Sequence, residues 1–288
     1  MKRELGIGRC GLACCLCSEN GHCRGCNSGQ CPDREWCENR RCCLERKLGH
    51  CYECEEECSR GLLNRIKPRA FTLFARRYGV QTLLDCLERN EGKGVVYHRQ
   101  GISGDYDDFS DVESLMAFLW TGRREPETVS IVGKNYLGSW NTLRVASRAI
   151  IREKDRILLS YERHTGQYAL PGGGKEEGES PEECCIRETA EETGTIIRIS
   201  PCVVEITEYY EEWKGISRYY LGTIAGSCER KLTETERKQG TEPRWLTVEQ
   251  ALKEFSRHAE FAETDEMRRG LYLREYTALR SLFGGGDR

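Results

Sequence analysis

Residues 62–90, LLNRIKPRAFTLFARRYGVQTLLDCLERN, carry apolar side chains at helical spacing, which predicts two or three short helices interrupted at Pro68 and Gly79. After a Gly/Asp-rich loop, GISGDYDDFSD, the stretch DVESLMAFLW predicts another amphipathic helix ending near Gly122. Asp111 suits its N-cap, and Ser114 leaves the capping box incomplete. RREPET, residues 123–128, reads as a linker, and beyond it the pattern becomes strand-like. Residues 143–151, LRVASRAII, and 156–161, RILLSY, predict strands joined by the turn REKD. Residues 181–193 predict a long helix. Strand patterns return at 202–210 and 217–224, with a turn expected at Lys214-Gly215, and RWLTVEQALKEF predicts a short strand leading into a helix. GLYLREYTALRSLF predicts a closing helix before a frayed Gly-rich tail. The second half is therefore expected to be a mixed α/β domain.

Residues 1 to about 60 differ in kind. They are loop-rich and poor in aliphatic side chains, too small a core to hold a fold unaided, so a covalent or metal staple is expected. Of 18 cysteines, those from Cys10 to Cys58 form a dense block. The charged start MKRELGIGRC has no apolar h-region behind it, so a secretory signal is not expected and a cytoplasmic location is. In a reducing compartment such a block points to metal rather than to disulfides. Cys14-x-x-Cys17, Cys23-x-x-Cys26 and Cys51-x-x-Cys54 each offer paired ligands from one tight turn, with Cys10, Cys31, Cys37, Cys42, Cys43 and Cys58 as partners. Tetrahedral Zn²⁺ is the expectation, as about two ions, with the pairing left open. The rival is an iron–sulfur cluster, because Cys10, Cys14 and Cys17 also meet the CxxxCxxC spacing of radical-SAM enzymes. Residues 18–122 cannot build the barrel of parallel strands that such an enzyme needs. Reduced or disulfide-linked cysteines are a third reading, and His22 and His50 read as surface residues rather than ligands.

The formal net charge of -3 gives no general affinity for polyanions, so nucleic acid is not an expected partner beyond a local patch. No stretch approaches the ~18 apolar residues of a membrane span. No membrane partner is expected.

The segment that carries chemistry is PGGGKEEGESPEECCIRETAEETG, residues 171–194. Ser180, Pro181 and Glu183 form a capping box with proline at the first helical position, and Gly194 stands where a C-cap glycine belongs. On this helix Glu188, Glu191 and Glu192 share a face, which costs roughly 0.2–0.5 kcal/mol per like-charged pair unless something cationic offsets it. Hard carboxylate oxygens select magnesium or manganese over zinc. The glycines ahead of the helix allow a tight turn that brings a backbone carbonyl close to the same cation. A metal held this way serves phosphoanhydride hydrolysis by bridging phosphate oxygens and activating water. Cys184 and Cys185, on the same helix, read as core thiols.

Gly173, Glu179, Arg187-Glu188, Glu191-Glu192 and Gly194, at these offsets, resemble the Nudix box. Thr189 and Thr195 depart from it, standing where the family has aliphatic residues that pack the helix and the next strand. The resemblance implies an α/β/α sandwich with a mixed sheet over residues 129–283. It also implies Mg²⁺ (or Mn²⁺) held by Glu188, Glu191, Glu192 and the Gly172 carbonyl, with Glu188 or a neighbour assisting the nucleophilic water. Arg187 would orient the glutamates and Glu179 support the loop. A further acid from a later loop is implied, with Glu234, Glu236 and Glu242 as candidates. Separately, CGLACCLC, NEGKGVVYH and GDYDDF resemble a Cys-rich bacterial domain family of unknown function, covering residues 5–122 and implying a zinc-binding fold.

The expectation is thus a small Cys-rich, metal-binding domain with helices (residues 1–122) followed by a Nudix hydrolase domain (129–283). The expected reaction is magnesium-dependent hydrolysis of a nucleoside diphosphate linked to another moiety. The alternative is a catalytically silent nucleotide sensor whose zinc-binding domain recognises a protein partner. Tyr168, Trp213, Tyr219 and Trp245 are candidates to stack on a base, although aromatic residues on strands are more often core.

Overall fold

The computed structural model describes residues 1–18, 24–99, 101 and 103–284. The chain separates into two compact units, Met1–Arg124 and Glu125–Arg288.

In the first unit, helix α1 (Glu38–Glu45) sits within the cysteine block, and α2 (Ile66–Tyr78), α3 (Val80–Gly92) and α4 (Val112–Thr121) follow. Phe71, Phe74, Leu83, Leu87, Leu115 and Leu119, all fully buried, form the core that joins the last three helices. Pro68 does not interrupt α2. It occupies the first turn, where its missing N–H has no intrahelical acceptor to lose. Gly79, at φ 91, does separate α2 from α3. Asp111 caps α4 by accepting from Ser114 N at 2.7 Å, and Gly122 ends it in the left-handed conformation. The cysteine-bearing loops lie close on this core: a Cβ on Gly11 would stand 2.4 Å from Pro68 O, and Ala13 N donates to Tyr97 Oη at 3.1 Å.

The second unit comprises β1 (Glu127–Val132), β2 (Thr142–Glu153), β3 (Arg156–Glu162), β4 (Gln167–Ala169), β5 (Gly172–Gly174), α5 (Pro181–Thr193), β6 (Thr195–Tyr210), β7 (Trp213–Ser227), α6 (Glu234–Gln239), β8 (Thr241–Thr247), α7 (Val248–Ser256) and α8 (Glu266–Phe283). The sheet runs β1-β6-β7-β2-β3-β4, with β5 on β2 and β8 on β3. It is mixed, since β1–β6 and β2–β7 are parallel and the other pairs antiparallel. The turn expected at Lys214-Gly215 lies instead at Glu211-Glu212, with Glu211 at φ 47, and Gly215 is inside β7. Strand β1 was absent from the sequence pattern, and β6 starts at Thr195 rather than at 202. Of the Gly-rich tail, residues 285–288 lie outside the described residues.

Alternation along β2 explains the layering. Ala149 and Ile151 join Leu158, Ile197, Tyr220 and Cys185 of α5 in one buried cluster. Arg148 faces the other way and meets Glu275 of α8 at 3.5 Å. The unit is therefore an α/β/α sandwich around a mixed sheet. Thr189, in place of an aliphatic residue, is fully buried on α5. On the α8 side, Arg274 donates to Glu208 at 3.1 Å and to Glu275 at 2.8 Å, and Tyr219 Oη donates to Glu275. Removing one member of such a buried ionic group strands the others. Arg274→Ala should therefore cost about 3–5 kcal/mol, read as a lowered Tm; an unchanged Tm would contradict this packing.

Candidate functional site

Helix α5 is set by local chemistry at both ends. Ser180 Oγ accepts from Glu183 N at 3.1 Å, Glu183 Oε2 accepts from Ser180 N at 2.8 Å, and Gly194 closes the helix at φ 71. Within this frame Arg187 is the hub. It grips Glu179 through two hydrogen bonds at 2.7 and 3.0 Å, reaches Glu188 at 2.9 Å and Glu191 at 3.1 Å, and donates to the Gly174 carbonyl at 3.2 Å. The guanidinium holds the Glu179 carboxyl down to about 2. Glu179 Oε2 also accepts from Glu176 N, so the loop is tied to the helix.

The glycine loop lies against the same carboxylates. A Cβ on Gly173 would stand 2.4 Å from Glu188 Oε2, so no larger residue fits without displacing that carboxylate. Gly172, at φ 143, packs so tightly on β2 that a Cβ would meet Ser147 O at 2.1 Å. Its N–H donates to Glu192 at 3.2 Å, and its carbonyl accepts from Arg148 at 3.2 Å. Glu192 also accepts from Ser160 Oγ at 2.5 Å. Burial pushes the Glu192 carboxyl up to about 7 against those two donors, and the Glu188 charge adds to the rise. Burial also raises Glu188 against the pull of Arg187, with the charges of Glu191 and Glu236 contributing.

The Glu188, Glu191, Arg187 and Gly172 positions thus adjoin one another, with Glu192 turned inward beneath the loop. Among the described residues, no three His, Cys, Asp or Glu side chains gather tightly enough to enclose a metal. Arg187 stands between Glu188 and Glu191. Of the later acids, which were expected on a loop, Glu234 and Glu236 are on α6 and Glu242 is on β8. Glu234 pairs with Lys238, Glu242 with Arg163 and Arg244, and Glu236 caps α6 while its charge reaches Glu188. Cys184 donates to the Gly173 carbonyl at 3.5 Å, and Cys185 is in the core.

On the α8 side of the sheet lies a cleft of about 740 Å³, lined by Arg144, Arg148, Glu208, Trp213, Arg268 and Arg274 among others. Trp213 is half-buried on its wall, Tyr219 is fully buried, and Tyr168 and Trp245 are part-exposed. The sequence reading missed Arg144, Arg148, Ser160 and Arg274. The available signal was Arg144 and Arg148 on one face of the apolar strand LRVASRAII, where an inward arginine needs a partner or a ligand.

In the first unit no disulfide joins the described cysteines. Cys14–Leu16 and Cys51–Glu53 are single 3₁₀ turns, as CxxC knuckles require. Hydrogen bonds from Cys14, with help from Cys31 and Arg9, bring Cys26 down to about 6. Cys10 is buried near Cys26 and Cys37. Cys42, Cys43, Cys51, Cys54 and Cys58 line a separate cavity of about 170 Å³, where Cys43 and Cys51 sulfurs are 3.6 Å apart. Cys17 is half-buried, and His50 stacks on Tyr52. Cys23 and His22 lie outside the described residues. No helix among the described residues is long and apolar enough to cross a membrane.

Residues 142–264 match the family model of the NUDIX domain. The second unit therefore carries a Nudix domain. The chain is also similar to a solved NUDIX hydrolase from Nitrosomonas europaea, with 21% identity over 48% of this chain and 90% of that one and a TM-score of 0.35. A MutT NUDIX hydrolase from Burkholderia pseudomallei shows 24% identity over 38% and 86%, TM-score 0.32. An ADP-ribose pyrophosphatase from Streptococcus suis shows 20% identity over 37% and 75%, TM-score 0.29.

The buried Glu192 yields a pH test. Its folded value of about 7 lies above the ordinary 4.5, so stability is retained below pH 4.5 and lost as pH rises through 7. That interval corresponds to about 3 kcal/mol. With chelator present, Glu192→Gln should raise Tm clearly at pH 8 and little at pH 4.5; an equal shift at both would contradict the burial of this carboxylate.

Proposed function

We propose that the second unit hydrolyses a phosphoanhydride bond in a nucleoside diphosphate linked to another group. The observation that carries this reading is the Arg187 hub, which gathers Glu179, Glu188 and Glu191 beside a glycine loop in which Gly172 and Gly173 leave no room for a Cβ.

The donor set suits a divalent cation. Glu188 and Glu192 are both held above their ordinary pKa by burial, each made worse by a neighbouring carboxylate, and a hard cation relieves that directly. Glu188, Glu191 and Glu192 would hold Mg²⁺ or Mn²⁺, joined by the Gly172 carbonyl through the lone pair that Arg148 leaves unused. When bound, such an ion neutralises phosphate charge and lowers the pKa of water. Arg187 fixes the direction of the glutamates. Glu188, packed against Gly173, would take a proton from the attacking water, and the cleft on the α8 side would accommodate the rest of the substrate. The reaction adds water across the P–O–P bridge and releases two phosphorylated or phosphate-bearing products.

The test is a panel of nucleoside-diphosphate derivatives with magnesium. Turnover is expected, and Glu188→Gln should reduce it by roughly 10²–10⁴-fold. Tight nucleotide binding by the intact chain without any hydrolysis would support the sensor reading instead.

For the first unit the proposal is structural Zn²⁺. The support is the soft donor set, the two 3₁₀ knuckles and the depressed Cys26 thiol among Cys14 and Cys31. Five cysteines around one small cavity form a second group of donors. Elemental analysis of the purified full chain should find zinc, with less in Cys26→Ser and in Cys51→Ser, and chelation should lower the Tm. Metal-free protein of unchanged stability would contradict it.

A further inference from the structure

Among the described residues, the cleft presents one cation, Arg144, without a hydrogen-bond or ion-pair partner. Arg144 stands on β2 two residues before Ala146, the register partner of Gly174, and a Cβ on Gly174 would be 3.7 Å from Arg144 Nε. Among the described residues Arg144 makes no hydrogen bond and no ion pair. Its neighbours are engaged: Arg274 with Glu208 and Glu275, and Arg148 with Glu275 and the carbonyls of Leu170 and Gly172. Burial, then Arg148 and Arg274, push the Arg144 pKa down, while Glu188 and Glu208 pull it up. Like charges crowded around an unpaired guanidinium create a site for an anion, and a guanidinium matches phosphate geometry.

Arg144 pairs in register with Gly215 of β7. A Cβ on Gly215 would lie 2.6 Å from the Trp213 ring, so the missing side chain lets that ring lie over the strand beside Arg144. Toward the Thr142 end of β2 the wall carries Glu211, Glu212 and Asp265 against one cation, Arg268, whose guanidinium lies over the Phe261 ring and reaches the Thr165 carbonyl at 3.5 Å. Charge along the cleft is therefore graded, from Arg144, unpaired among the described residues, near Glu188 to a net-acidic wall beyond Trp213. A terminal polyphosphate directed outward would meet those carboxylates, whereas an uncharged ring with hydroxyl or amino groups would find a face to stack on and acceptors for its donors.

We propose that Arg144 anchors the phosphate next to the bond that breaks, and that Trp213 with the acidic wall selects an uncharged ring-bearing group on that phosphate. The preferred substrates are then diphosphates substituted at both ends, ahead of nucleoside triphosphates. This rests on the hydrolytic reading for the meaning of the anchored phosphate, but the contacts can be measured without turnover.

The experiment is calorimetric binding of a nucleoside-diphosphate sugar and of the matching nucleoside triphosphate to the full chain in chelator, paired with steady-state kinetics in magnesium. The wild type should bind the disubstituted diphosphate more tightly. Arg144→Gln should weaken that binding by about 10–100-fold, with Arg144→Lys intermediate. Trp213→Ala should weaken it by about tenfold and raise KM more than it lowers kcat, with Trp213→Phe restoring most of the loss. Unchanged Tm in each variant separates these effects from misfolding. Turnover by the wild type with undiminished binding by Arg144→Gln overturns the anchor alone. Binding that depends on Arg144 and Trp213 without turnover overturns the hydrolytic reading and leaves the anchor standing. Equal or tighter binding of the triphosphate, or no binding of either probe, overturns the selectivity.

Discussion

One guanidinium sets the geometry of the second unit's site. Arg187 lies among Glu179, Glu188 and Glu191, and without a cation at that place the three carboxylates would repel one another. The strong grip on Glu179 and the bond to the Gly174 carbonyl hold the loop and helix as one piece. An arginine serves here where a lysine would not, because its planar fork reaches several carboxylate oxygens and a carbonyl together. The arrangement costs stability elsewhere. Glu192 is buried with a pKa of about 7, and Glu188 is also raised, so the folded chain holds acidic groups that a divalent cation would stabilise.

The opposite face of the same strand supplies the other half of the account. Alternation along β2 sends Ala149 and Ile151 to the hydrophobic cluster beneath α5 and sends Arg144 and Arg148 into the cleft beneath α8. A single strand therefore connects the packing that fixes the carboxylate helix to the charges that meet a substrate. The buried group of Arg148, Arg274, Glu208 and Glu275 is nearly neutral in itself, which is why Arg144 stands out.

Legibility followed the range of the interactions. The bounds of α5, Pro181–Thr193, match the sequence reading because Ser180, Pro181, Glu183 and Gly194 act within one turn of the helix. Pro68 misled because an interior proline breaks a helix, while one in the first turn does not. Gly215 misled because its role is to accommodate the Trp213 ring, which the local sequence cannot show. Strand β1 owes its place to parallel pairing with β6, a contact distant in sequence. The Nudix motif was readable from spacing alone, yet the inward turn of Glu192 toward Ser160 and the Arg148 bond to the Gly172 carbonyl depend on β2 and β3.

The central claim is that the Arg187-ordered carboxylates form a cation site. A titration of the full chain with Mn²⁺, followed by electron paramagnetic resonance and with the metal content of the purified chain first measured, tests it most directly. Saturable Mn²⁺ binding is expected, displaced by Mg²⁺ and sharply weakened in both Glu188→Gln and Glu192→Gln. Binding unaffected by those substitutions, or no binding at all, would contradict it.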